Sequence, residues 1–125
     1  MVAVELPERD KDFLDEKGFN YELVEFPGGI YLIINDFPFP AAYTPRLAKV
    51  LIVIPTGYPE AKVDMIFTIP DVKLVNGQWP QNCEQHVPHN NLTWQQWSRH
   101  INWRIGVDNL RTFMTAMKKE LDLGR

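Results

Sequence analysis

The spacing of hydrophobic positions changes several times along the chain, and each change marks a predicted element. Val107, Leu110, Met114, Met117 and Leu121 recur at offsets of 3, 4, 3 and 4, which lays one apolar stripe along a helix. Asp108 stands where a helix N-cap is expected, Lys118 and Lys119 sit where the helix dipole favours positive charge, and Gly124 is a fitting terminator. Near the other end, Pro7 suits a first helical turn, Glu8, Asp10 and Asp12 complement the positive pole, and Gly18 suits the stop. These residues predict a helix of about three turns that carries Phe13, Leu14 and Lys17 on one side.

Between the two helices the period shortens. YELVEF and IYLII flank Pro27-Gly28-Gly29 and predict a hairpin. After a proline-rich corner from Asp36 to Pro40, the run Lys49 to Ile54 is apolar at consecutive positions, as a central strand buried on both faces should be. Pro55-Thr56-Gly57-Tyr58-Pro59 breaks that strand, and Met65 to Ile69 predict a fourth one ending at Pro70. Short connections favour an antiparallel four-stranded meander. From Val72 to Asn102 no period is sustained, which predicts a long loop; loops of that length are uncommon unless they are functional. The order of helix, four strands, long loop and helix is α+β, with the C-terminal helix packed on one face of the sheet.

Composition narrows the possibilities. A chain of 125 residues with 45% hydrophobic and 23% charged residues fits one packed domain over residues 1–125. The formal charge of −3 and scattered basic residues give no footprint for nucleic acid. A single cysteine excludes an internal disulfide and makes the cytoplasm the expected compartment. The opening MVAVELPERDKDFLDEKG has neither the basic start nor the apolar run of a secretory signal. The longest apolar run, LAKVLIVI, is of strand length, so no membrane association is expected.

The words at the joints of this pattern resemble a known superfamily. Ile54-Pro55-Thr56-Gly57-Tyr58-Pro59, followed by Phe67-Thr68-Ile69-Pro70 and then by Trp103-Arg104-Ile105-Gly106 ahead of the last helix, is similar to the ubiquitin-conjugating enzyme superfamily. Within it, Leu6-Pro7-x-x-Asp10-x-x-Phe13-Leu14 and Trp94-Gln95-Gln96-Trp97-Ser98-Arg99-His100 resemble the bacterial branch called prokaryotic family E. The resemblance implies a UBC-like fold and a carrier that accepts an activated ubiquitin-like protein as a thioester or oxyester and transfers it to an amine. It also implies partners: a ubiquitin-like protein, a ubiquitin-activating-like enzyme and, in the same pathway, a metal-dependent deubiquitinase-like protein. The chain departs from eukaryotic members by having Ile69-Pro70-Asp71 in place of His-Pro-Asn, so Cys83 aligns only loosely with their nucleophile. A catalytically inactive module that binds the ubiquitin-like protein or its activating enzyme is the alternative.

The candidate chemistry gathers in QNCEQHVPHNNLTWQQWSRH, residues 81–100, which hold the cysteine and all three histidines. Acyl transfer requires a nucleophile, a base and donors for the oxyanion. Cys83 is the first candidate nucleophile, with Asn82 as an oxyanion donor and His86 three residues on. Ser98 is the alternative nucleophile, with His100 as its base. Arg99, Trp97 and Asp108 are the candidate binding residues: Arg99 to orient an acyl carbonyl or pair with Asp71, Asp108 to polarise an incoming amine. Trp94, Trp97 and Trp103 also suit a structural role, pinning the loop to the sheet and last helix. Cys83-x-x-His86-x-x-His89 with His100 has zinc-like spacing but lacks paired ligand halves; no metal or other cofactor is expected.

Overall fold

In the computed structural model, residues 5–125 are described, and the first four residues of the opening segment lie outside them. The described residues form α1 (Glu8–Glu16), β1 (Asn20–Phe26), β2 (Gly29–Pro38), β3 (Tyr43–Thr44), β4 (Leu47–Pro55), β5 (Ile66–Ile69), β6 (Lys73–Leu74), β7 (His86–His89), β8 (Leu92–Trp97) and α2 (Leu110–Asp122). No helix among them is long and apolar enough to cross a membrane.

The expected hairpin is present: β1 pairs antiparallel with β2 from Asn20 opposite Asn35 to Phe26 opposite Gly29. Gly29 has φ +143°, and a Cβ there would collide with the Ile54 carbonyl oxygen, so glycine is required where β2 turns in beside β4. The central run forms β4, between β2 and β5. Register slips between Ile34 and Phe37, where Asp36 takes φ +52° and bulges the strand.

The four-stranded meander is corrected by two additions. The main sheet has six strands in the order β1-β2-β4-β5-β8-β7, and a separate small ladder joins β3 to β6. The two extra strands of the main sheet come from the segment expected to be a long loop. Asn90 and Asn91 both take positive φ, 49° and 64°, which is the backbone of a two-residue hairpin turn. The flanking residues pair from His86 opposite Gln95 to His89 opposite Leu92.

Both helices cover one face of the sheet. Phe13 and Leu14 of α1 and Leu110, Phe113, Met117 and Leu121 of α2 join Leu32, Ile34, Val50, Ile52, Ile54 and Ile66 in the main core. Each such side chain contributes about 1.5–3 kcal/mol when fully buried. The second face carries a smaller core of Tyr31, Ile33, Leu51, Phe67 and Trp94. No helix belongs to that core; the β7–β8 hairpin curls over it, bringing His89 edge-on to Phe67 at 4.6 Å and to Tyr31 at 5.6 Å. Burial there holds the His89 imidazole below its ordinary pKa.

The start of α2 also corrects the expectation. Asn109 is the N-cap and forms a capping box with Thr112: its side chain accepts from Thr112 N at 3.1 Å, and the Thr112 hydroxyl accepts from Asn109 N at 2.9 Å. Asp108 closes the preceding turn, accepting from Arg104 N at 2.6 Å and from the Arg104 guanidinium at 3.0 and 3.2 Å. These bonds hold its carboxyl down at about 2. Val107 therefore falls outside the helix and is 56% exposed, and the buried stripe runs through Leu110, Phe113, Met117 and Leu121, with Phe113 in place of the expected Met114, which is half-buried.

The helix ends converge on Tyr58. Its hydroxyl donates to Asp10 Oδ2 at 2.7 Å and accepts from Leu110 N at 2.7 Å, while Trp103 Nε1 donates to Pro59 O at 3.0 Å. The Tyr-Pro pair thus ties α1, α2 and the Trp103 turn to the end of β4. Burial raises the Asp10 pKa, partly offset by the Tyr58 hydrogen bond and the Arg9 charge. A carboxyl whose folded pKa exceeds its unfolded value stabilises the fold fully below the unfolded pKa, and that contribution is lost as pH rises through the folded one. Asp10→Asn keeps an acceptor for Tyr58 and removes this titration. In urea denaturation its stability relative to the parent protein should increase as pH rises above 3.8 and then level off; a relative decline across that window would refute the account.

Candidate functional site

The candidate site is built around one buried amide. Gln95 lies on β8 facing the helix side, without exposed surface. Its Oε1 accepts from Thr68 Oγ1 at 2.8 Å and Val72 N at 2.7 Å, and its Nε2 donates to Val72 O at 2.8 Å and Cys83 O at 3.1 Å. Thr68 Oγ1 in turn accepts from Trp97 Nε1 at 3.0 Å. Every donor and acceptor of the carboxamide is used. The segment leaving β5 and the segment carrying Cys83 are thereby fixed to the same strand.

Beyond Trp97, β8 runs out beside the turn at residues 80–83. Ser98 N donates to Asn82 O at 3.0 Å, and Cys83 N donates to Pro80 O at 3.1 Å. Asn82 takes φ +60°, a conformation asparagine tolerates better than most residues. These contacts and the C-terminal end of α2 enclose a cleft of about 260 Å³, lined by Asn82, Ser98, Arg99, His100, Glu120 and Arg125 among others. Four sequence-predicted residues, Asn82, Ser98, Arg99 and His100, are thus brought to one place.

Cys83 belongs to the main core with Trp97 and has no exposed surface. Its Sγ donates to Gln81 O at 3.2 Å. Burial pushes the thiol up to about 12, against the lowering influence of the Arg99 charge. Ser98 is half-buried, and its Oγ accepts from Gln96 Nε2 at 2.7 Å. His100 Nδ1 instead bonds Asp64 Oδ1 at 2.8 Å, so the imidazole is engaged away from the serine. His86 Nε2 bonds Asp71 Oδ1 at 2.8 Å and lies edge-on to Trp79. The carboxylate expected to meet Arg99 is therefore taken by His86.

Arg99 points inward. Nε donates to Gln81 O at 3.0 Å, Nη2 donates to Arg125 O, and the guanidinium lies 5.0 Å over the Trp97 ring. Trp97 itself is fully buried with its indole N–H committed to Thr68, which makes it a core residue in this conformation. Asp108 is bound to Arg104 as described and is not among the cleft-lining residues. Zinc-like spacing is not realised: among the described residues no group of three or more His, Cys, Asp or Glu is placed to hold a metal ion. His86 and His89 are three apart on a strand, where such residues point to opposite faces.

The sequence reading missed Gln95, Gln81, Glu120 and Arg125. Only Gln95 left a signal, as a polar residue flanked by Trp94 and Trp97.

Residues 6–123 match the family model described as Prokaryotic E2 family E. No curated protein and no solved structure matches the chain.

Replacing Gln95 by Leu keeps the volume but strands the main-chain groups of Val72 and Cys83. We expect the urea midpoint to fall by the equivalent of about 3 kcal/mol, within the range for several buried groups left unpaired; an unchanged midpoint would show the amide to be dispensable. For Cys83, a rise from 9.0 to about 12 cuts the thiolate fraction at neutral pH about a thousandfold. Modification by a disulfide reagent should be slower than for a free thiol by at least that factor and normal in denaturant. Rapid labelling of the folded protein would contradict the burial.

Proposed function

The chain belongs to the prokaryotic E2 family E, and from that membership we propose that it is a ubiquitin-conjugating-like carrier whose cleft receives the C-terminal end of a ubiquitin-like protein. The observation that carries the reading is the convergence of Asn82, Ser98, Arg99 and His100 on one cleft beside Cys83. In this scheme the Cys83 thiolate attacks the activated acyl carbonyl, and the leaving group stays with the activating enzyme. A thioester forms on Cys83; an amine then attacks it, the thiolate departs, and the amine's surplus proton passes to a base or to water. Arg99 supplies positive charge beside the sulfur, and Asn82 offers an amide N–H toward the oxyanion. Ser98 is the alternative acceptor, forming an oxyester by the same sequence.

One observation favours a second reading, in which the fold binds the ubiquitin-like protein or its activating enzyme without covalent chemistry. The Cys83 thiol is fully buried and held protonated, and Ser98 hydrogen-bonds Gln96 while His100 bonds Asp64. Carrier activity therefore requires the turn at residues 80–82 to move when a partner docks.

The two readings differ in one experiment. The protein is incubated with a cognate activating enzyme, ATP and ubiquitin-like protein, then examined by non-reducing gel and intact mass. The carrier reading expects an adduct that thiols or hydroxylamine release and that Cys83→Ala abolishes; loss in Ser98→Ala instead moves the acyl group to the serine. An adduct that survives in both variants would rule out both residues. A stable complex with no change of mass would identify a binding module.

A further inference from the structure

One wall of the cleft is supplied by the residues that follow α2. The helix is capped at Leu123, and Gly124 turns out of it with φ +69° while its N–H donates to Leu121 O at 3.0 Å. A Cβ on Gly124 would stand 3.0 Å from Ala42 Cβ, and any other residue would be strained at that φ. The turn brings Arg125 O to the Tyr43 hydroxyl, which donates to it at 3.0 Å, and to Arg99 Nη2, which donates as well. The Glu120 carboxylate meets both arginines, at 3.4 Å from Arg125 Nη2 and 3.9 Å from Arg99 Nη1.

These contacts converge on the side chain that holds the turn next to the thiol. Arg99 is buried, and its Nε donates to Gln81 O, the same oxygen that accepts from Cys83 Sγ. A continuous run of hydrogen bonds therefore leads from Arg125 O through the guanidinium to Gln81 O and the sulfur. The guanidinium is a rigid plane, stacked 5.0 Å over Trp97, so while Nη2 stays bonded Nε stays beside Gln81 O. The seat of Gly124 and Arg125 is slight by comparison. No side chain after Leu121 enters either core, and Leu123 and Arg125 are exposed. Segments held by so few apolar contacts open locally at far lower free energy than the whole fold.

We propose that Gly124 and Arg125 form a latch that controls access to the Cys83 thiol. Seated, the latch fixes Arg99 and, through it, the Gln81 carbonyl that bonds the sulfur. Released, it lets the guanidinium and the turn at residues 80–82 move away together while the sheet and α2 stay folded. The use of such a latch rests on the proposed function, in which an activated acyl group must reach the thiol; the coupling itself does not.

The test follows the rate at which an aromatic disulfide reagent modifies Cys83 at low urea concentrations, beside the global unfolding curve of the same protein. Gly124→Val strains the seated latch and crowds Ala42; Tyr43→Phe keeps the ring and removes one of the donors to Arg125 O. Labelling should be about tenfold faster in Gly124→Val, from the strain at positive φ, and about fivefold faster in Tyr43→Phe, from loss of one hydrogen bond. Below the unfolding transition the rates should be nearly independent of urea, the mark of local opening. Ile33→Val, in the smaller core on the other face, lowers global stability by core truncation and leaves the latch intact, so its labelling in low urea should equal the parent's. Unchanged rates in both latch variants, a urea slope equal to that of global unfolding, or equal acceleration by Ile33→Val would overturn the latch. Incubating the same variants with the activating enzyme, ATP and ubiquitin-like protein separates this result from the carrier reading. Faster labelling with no adduct in any variant would keep the latch and refute the carrier; an adduct on Cys83 with labelling indifferent to both latch variants would refute the latch alone.

Discussion

The structure depends on the Gln95 amide more than on any other single polar group. Its orientation is dictated by its neighbours: Val72 N and Thr68 Oγ1 need an acceptor, while Val72 O and Cys83 O need a donor. Flipping the amide would set donor against donor and acceptor against acceptor at a side chain with no exposed surface. The Trp97 indole fixes the other end of the chain of bonds by donating to Thr68. One side chain thus satisfies main-chain groups in two irregular segments that no sheet ladder reaches. Without such satisfaction the burial of those segments would cost more than their apolar residues return.

The same strand organises both cores. Trp94 and Trp97 are three apart on β8, so they point to opposite faces: Trp94 into the smaller core, with Nε1 donating to His89 O at 2.9 Å, and Trp97 into the larger one. The tract from Trp94 to His100 therefore divides by function. Its first four residues anchor the strand on both sides. Its last three leave the sheet at the cleft, where their positions are inherited from that anchoring. Placing reactive or binding groups immediately after a doubly buried strand end is a way to obtain a defined geometry without regular structure at the site itself.

How much of this was legible in the sequence varied with the kind of signal. The β1–β2 hairpin and the helical stripe of α2 follow from turn chemistry and periodicity, and β4 and β5 from short runs of consecutive apolar residues that are buried on both faces. The β7–β8 hairpin did not announce itself: Pro88 lies within β7, histidines stand at both ends of that strand, and Asn90-Asn91 is a less familiar turn than Asn-Gly. Asp108 and Asn109 are both good capping residues, and the choice between them was made by Arg104, which claims the aspartate, and Thr112, which completes the box with the asparagine. At the site, proximity along the chain was a poor guide. The three histidines lie within fifteen residues, yet they bond Asp71, Asp64 and Tyr31 respectively for His86, His100 and His89. Their separation reflects strand geometry, which the expected loop had concealed. Arg99, Ser98, His100 and Asn82 were brought together by contacts to residues, Glu120 and Arg125 among them, that no local spacing indicated.

The thiol and the guanidinium at the site are coupled through a single atom. Gln81 O accepts both from Cys83 Sγ at 3.2 Å and from Arg99 Nε at 3.0 Å. With that carbonyl in place, the sulfur is kept as a buried thiol and the arginine is held to the turn, so desolvation prevails over the nearby positive charge. Displacing the carbonyl would remove the acceptor that favours the protonated sulfur and free an N–H of the guanidinium at the same moment. Admitting water or a polar chain end would also lessen the desolvation. All three changes act in the same direction, toward thiolate. A buried cysteine beside a buried arginine is thus not simply an inert pair. In the carrier proposed above, the thiol's reactivity would depend on the position of the turn that contributes Gln81 and Asn82 to the cleft wall.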